Sequence, residues 1–196
     1  MNSDYDEPMS GVPRNAKAAT YEDLKALPAN VTGELISGAL YAHPRPAIPH
    51  ARASSALGGL LLPPWRFGRG GPGGWLILDE PELHFGADVV VPDLGGWKRD
   101  RMPEQPESAF IELAPDWLCE VLSPSTAGHD RVRKLAVYLR EAVRHVWFID
   151  PLAQTLEVLR LEGGKWFVAA NFTGDARVRA EPFEAVELEL GLLWEK

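Results

Sequence analysis

From Asp116 to Asp150 the chain reads DWLCEVLSPSTAGHDRVRKLAVYLREAVRHVWFID, and this order of residue types constrains the fold more than any other segment. Trp117 to Leu122 is an apolar run of strand length, and Ser123-Pro124-Ser125-Thr126-Ala127-Gly128 is a loop by its turn-forming content. An amphipathic helix follows with Asp130 as its cap, and Val146-Trp147-Phe148-Ile149 is a second buried strand closed by Asp150-Pro151. On the helix, Val132, Leu135, Ala136, Leu139 and Val143 fall at i, i+3, i+4, i+7 and i+11, which predicts that this stripe faces the core. Lys134 and Tyr138, one turn apart, share a different face with Arg131. Glu120 is the anomaly, because a carboxylate inside an apolar strand stays charged only beside a cation or hydrogen-bond donors. Asp93 follows a second apolar run, Val89-Val90-Val91-Pro92, so two strands are able to deliver an acid to one place.

The remaining segments build around this unit. A length of 196 residues suits one domain over 18–196, preceded by a loose polar tail at 1–17. Thr20 and Asp23 form a capping box for a short helix that Pro28 stops, and Glu34 to Tyr41 reads as two strands around Ser37-Gly38. His50 to Leu62 is a helix ended by Pro63-Pro64, with His50 as a hydrogen-bonded structural residue. The glycine-rich tract Phe67 to Trp75 is no phosphate loop, since no Gly-Lys-Ser or Gly-Lys-Thr follows it. Trp75 to Leu83 and Phe85 to Val91 read as strands, with Glu80 and Glu82 on one face, either solvated or adding charge beside Asp93. The polar segment Lys98 to Pro115, weakly helical at Glu107 to Leu113, is a candidate flap. Thr155 to Leu161 and Lys165 to Ala170 flank Glu162-Gly163-Gly164 as a hairpin, and Arg177 to Leu190 holds one or two further strands. The fold class is α/β, a mixed central sheet flanked by two or three helices with a β-rich C-terminal end.

Composition narrows the function. A net charge of −8 opposes generic attraction to nucleic acid unless cations or a local basic patch intervene. The single cysteine, Cys119, excludes an internal disulfide and a cysteine zinc site, and its apolar setting indicates packing. No signal peptide or run of the roughly 18 apolar residues needed to span a membrane is present, which makes the cytoplasm the default location. If Asp93 and Glu120 meet, a divalent cation is the simplest way to keep both ionised, and oxygen ligands suit Mg²⁺ or Mn²⁺. Lys134 then supplies positive charge beside them, and Glu34 is a further ligand or base. The competing reading is a buried acid satisfied by backbone amides or an arginine. Arg131, Arg133, Lys134, Arg140 and Arg144, with Lys98, Arg99 and Arg101, form either a phosphate-binding patch or an ordinary solvated face.

Several strings, in order, resemble the motifs of the Uma-type restriction endonuclease family of the PD-(D/E)XK nuclease superfamily. They are Glu34-Leu35-Ile36-Ser37-Gly38, Val91-Pro92-Asp93, Glu120-Val121-Leu122-Ser123-Pro124-Ser125-Thr126, Asp130 with Lys134 and Tyr138, and Val146 to Pro151. The resemblance spans Thr20 to Leu193 and implies a restriction-endonuclease-like mixed sheet between helices. It implies Mg²⁺, with Mn²⁺ as a substitute, at Asp93 and Glu120, and hydrolysis of nucleic acid, DNA in particular, with Glu34 in the acidic cluster. The superfamily pattern places a lysine two residues after the second acid, where this chain has Leu122. Lys134 is its natural replacement, with Tyr138 orienting Lys134 or the phosphate. The rival expectation is a catalytically inactive module of the same fold, acting in binding or regulation, and the β-rich end invites homodimer pairing.

Overall fold

The computed structural model describes residues 17–44 and 46–195, so the tail expected at 1–17 lies, apart from Lys17, outside the described residues. Helix α1 (Tyr21–Lys25) opens on the expected capping box, with the Thr20 hydroxyl and the Asp23 carboxylate each accepting from the other's backbone N–H. Strands β1 (Val31–Ile36) and β2 (Ala39–Pro44) form an antiparallel hairpin. Its two-residue turn places Ser37 and Gly38 at φ of +53° and +76°, the left-handed pair that matches strand twist. Helix α2 (Ile48–Leu61) buries Ala53, Leu57 and Leu61. Pro63-Pro64 do not end it, because they occupy the first positions of a π-helical turn, Leu62–Arg66, where a missing N–H costs little.

The segment expected as one strand from Trp75 to Leu83 breaks in two. β3 (Trp75–Asp79) stops at Glu80, whose φ is +42°, and β4 (Leu83–Phe85) turns back through Gly86 to β5 (Asp88–Val90). An unanticipated strand, β6 (Leu94–Lys98, LGGWK), follows and pairs with both β3 and β7 (Trp117–Val121). Its glycines fit because indoles lie where side chains would go: a Cβ on Gly96 would sit 3.0 Å from Trp117 and 3.3 Å from Trp75. No helix forms at 107–113. Ile111 instead bridges to Leu83.

After β7 the chain continues through α3 (Ala127–His129), a π-helical turn (Asp130–Lys134) and α4 (Leu135–Arg140) into β8 (His145–Asp150). Asp130 therefore lies inside the helical segment rather than at its cap. The hairpin β9 (Thr155–Glu162) and β10 (Lys165–Thr173), the short pair β11 (Arg177–Val178) and β12 (Leu188–Glu189), and a 3₁₀ turn at Leu190–Leu193 complete the described residues. The large sheet has the order β10-β9-β8-β7-β6-β3, and β7 and β8 are its parallel neighbours, joined by the α3–α4 crossover. A second sheet has the order β2-β1-β5-β4.

Alternation along β7 creates two cores. Trp117, Cys119 and Val121 face α2 and the C-terminal segment, where Phe183 packs edge-on among Trp65, Trp75, Trp117 and Trp147 at 4.9–5.5 Å between ring centroids. Leu118 and Leu122 face α4 and the small sheet, with Ile36, Val90, Val137 and Phe148. Glu120 belongs to this second face.

The helix is rotated relative to its apolar stripe. Val132 is 70% exposed, and Ala136 is exposed too, whereas Lys134, Val137 and Tyr138 are buried. Leu135 and Leu139 are half-buried, and Val143 is buried beyond the helix end. Periodicity misleads here because the inward face carries two polar side chains whose partner, Glu120, lies on the sheet beneath.

Candidate active site

Three elements supply three carboxylates. Asp93 immediately precedes β6, and pairing of Leu94 with Cys119 sets it beside β7, where its Oδ2 accepts from the Val121 N–H at 2.7 Å. Glu120 projects from β7 toward the helix. Glu34 comes from β1 of the small sheet, and its Oε1 accepts from the Val91 N–H at 2.8 Å. The two acids expected to converge do so, but the apolar run before Asp93 forms β5 of the small sheet, and it is β6, after Asp93, that pairs with β7; Glu34 joins them. Glu34, Asp93, Glu120 and Lys134 line one cavity of about 340 Å³, together with His43 and His50.

Lys134 occupies the centre of the charge distribution. Its Nζ lies 2.8 Å from Glu120 Oε2, 3.0 Å from Glu34 Oε1, 2.9 Å from the Val91 carbonyl and 3.9 Å from Asp130 Oδ1. Burial disfavours its charge, but Glu120, Glu34 and Asp130 outweigh that effect and raise the ammonium above its ordinary range. Burial likewise pushes Glu34 up, yet Lys134 and hydrogen bonds from His129 and Val91 hold it at about 2. Glu120 moves the other way. It is only 2% exposed, and burial with the surrounding acids raises it well above the carboxylate range despite Lys134. One lysine does not neutralise this many acids, so the site favours uptake of further positive charge.

Tyr138 is fully buried, and its hydroxyl donates to Glu120 Oε1. It therefore orients Glu120 rather than Lys134 and has no path to a phosphate, which revises the role expected for it. Leu122 packs in the apolar core on the helix side. Lys134, expected in its stead, lies with Nζ 2.8 Å from Glu120 Oε2.

Some site neighbours carry no periodic signal in the chain. His50, expected to be structural, places Nε2 3.1 Å from Asp93 Oδ1, and its Nδ1 is buried with no hydrogen-bond partner. Burial lowers its imidazole, but Asp93 reverses the effect and leaves it raised. His129 Nε2 lies 2.8 Å from Glu34 Oε2, with His43 Nε2 at 3.7 Å from the same oxygen. Asp130 carried a usable hint, since it precedes Lys134 by one helical turn.

Other expectations are corrected. Glu82 is neither solvated nor at the site, because it accepts from Tyr21 and pairs with His84, while Glu80 lines the cavity. The segment expected as a flap contributes no residue to the cavity lining. Part of the basic patch is internally paired: Arg131 with Glu157, Arg140 with Asp88 and Arg101 with Asp116. Cys119 is a buried free thiol in the aromatic core, as its apolar setting predicts.

The donor set fits a hard divalent cation. Carboxylate oxygens from two neighbouring strands border the cavity, each with lone pairs beyond those used in its present hydrogen bonds. Among the described residues, no helix is long and apolar enough to cross a membrane.

The chain is similar in fold to a crystal structure from Anabaena variabilis described as a "putative nuclease belonging to DUF820", with a TM-score of 0.67, 23% identity, and coverage of 90% of this chain and 97% of that one. No curated protein gives a significant match. Residues 18–192 match the family Uma2, described as "Putative restriction endonuclease", and the chain belongs to that family.

Proposed function

We propose that this cavity is the active centre of a metal-dependent nuclease that hydrolyses phosphodiester bonds of nucleic acid, DNA in the first instance. The observation that carries the reading is that Asp93, just before β6, and Glu120, on β7, line one cavity where Lys134 lies 2.8 Å from Glu120. Asp93 and Glu120 would hold Mg²⁺, with Mn²⁺ as a substitute. Bound there, a hard cation would supply Lewis-acid polarisation of the phosphate and of water. The chain's own part is positional. Val121 fixes Asp93, Tyr138 fixes Glu120, and Glu34 shares Lys134 with Glu120. The three ammonium protons match three partners at 2.8–3.0 Å, so Lys134 gains a free donor for the attacking water only when one carboxylate turns away.

Asp93→Asn and Glu120→Gln should each abolish Mg²⁺-dependent cleavage of plasmid and of single-stranded oligonucleotides. Cleavage unchanged in either variant would sink the reading. A second reading, an inactive module of the same fold, is favoured by Leu122 in the apolar core and by the engagement of both Glu120 oxygens. Calorimetric titration separates the two: no heat at millimolar Mg²⁺ supports the inactive module.

A further inference from the structure

We propose that Glu34, His43 and His129 form a second cation site, separate from Asp93 and Glu120, for a borderline divalent transition metal of the Zn²⁺ type. One ligand atom from each residue lies within 4.8 Å of the other two. Glu34 Oε2 is the common point, 2.8 Å from His129 Nε2 and 3.7 Å from His43 Nε2. With metal–ligand bonds of about 2.0–2.2 Å, tetrahedral donors stand roughly 3.2–3.6 Å apart. Small shifts of opposite sign therefore convert both separations into metal-bridged ones.

The local structure already points these atoms together. In the hairpin Thr32 pairs with His43 and Glu34 with Tyr41, which makes Glu34 and His43 diagonal neighbours on one face. Tyr41 packs against the His129 ring at 4.7 Å, and the His43 and His129 rings lie 4.8 Å apart. His43 Nε2 is sealed from solvent and makes no hydrogen bond, an arrangement a polar atom adopts at a cost. Coordination would satisfy it.

The chemistry selects the metal. Imidazole nitrogen suits zinc, cobalt, nickel and iron, whereas Mg²⁺ takes oxygen ligands, so the two sites would sort cations between them. Glu34 Oε1 remains with Lys134 while Oε2 serves the metal, and Glu34 and His43 border the cavity, which leaves the open side of the site toward it. A metal here would join β1, β2 and α3 beside Lys134. The site stands without the nuclease reading, because its test is a spectrum rather than turnover.

Co²⁺ is the probe, titrated into the full chain and followed by visible absorption. One equivalent should give the intense bands of a low-coordinate, nitrogen-ligated ion, persist in millimolar Mg²⁺ and disappear on adding Zn²⁺. His43→Gln and His129→Gln should each weaken Co²⁺ binding by about tenfold or more. His43→Gln removes no hydrogen bond made by Nε2, so it provides the folded variant, verified by circular dichroism. Asp93→Asn should leave the bands in place while removing the Mg²⁺ heat. Absence of intense bands at millimolar Co²⁺, bands indifferent to both histidine substitutions, or their loss in Asp93→Asn would each overturn the proposal. Absence of Mg²⁺ binding and of cleavage in the wild-type chain, with the Co²⁺ bands intact, would overturn the nuclease reading alone.

Discussion

Replacing Lys134 by methionine keeps the length of the side chain and removes its charge, leaving Glu34 and Glu120 without their shared counter-ion at 3.0 and 2.8 Å and the Val91 carbonyl without its donor at 2.9 Å. Removing one partner of a buried ion pair costs about 3–5 kcal/mol. Glu34 gives an independent scale, since its fall from 4.5 to about 2 corresponds to about 3 kcal/mol. The sign follows from linkage: a carboxylate held below its unfolded value stabilises the fold above about pH 4.5, and that contribution fades as pH falls toward 2. In Lys134→Met Glu34 loses what keeps it ionised, so its folded value rises and the variant gains stability relative to wild type as the pH is lowered. Urea denaturation in EDTA should show a deficit of about 3–5 kcal/mol at pH 7, or a fall in Tm of roughly 6–20 °C, with a smaller deficit at pH 5. A deficit below about 1 kcal/mol, the size of a surface pair, would refute the account, as would a deficit that does not change with pH.

The helix orientation and the glycine strand give two further tests. Val132→Ser should change stability by less than about 0.5 kcal/mol, whereas Val137→Ala should cost about 1–3 kcal/mol; equal effects would restore the apolar stripe as the buried face. Gly96→Ala should cost about 1–3 kcal/mol in thermal or urea denaturation through contact with Trp117 and Trp75, and a neutral result would mean that the indoles have room to withdraw.

Elements with a local cause were legible in the chain. The Thr20–Asp23 cap, the Ser37-Gly38 turn and the Gly163-Gly164 hairpin each follow from residues a few positions apart. β6 was not, because LGGWK lacks the branched residues of a strand and is stabilised by indoles from β3 and β7, far away in sequence. The α3–α4 stripe was legible but pointed the wrong way, since periodicity assumes an apolar inner face and here Lys134 and Tyr138 are drawn inward by Glu120. The acids at 93 and 120, which the cavity brings together, stand out in the chain as exceptions to apolar runs. The histidines were not, as nothing in their spacing links His43 to His129 or His50 to Asp93.

The pairing of part of the basic patch bears most directly on mechanism. Several arginines suited to phosphate are committed to carboxylates, and among the helix cations Lys134 alone borders the cavity. Around it stand Glu34, Glu80, Asp93, Glu120 and Asp130, so an incoming phosphodiester meets a cavity whose excess charge has its own sign. For unit charges about 4 Å apart such repulsion amounts to about 4 kcal/mol even at an effective dielectric constant of about 20. On the proposed nuclease reading, cations drawn from solution would therefore be a condition of binding as much as of catalysis. Affinity for a non-cleavable oligonucleotide should rise when Mg²⁺ is added at constant ionic strength, and it should lose that dependence in Asp93→Asn. Equal affinity in EDTA and Mg²⁺ would place the phosphate somewhere other than this cavity.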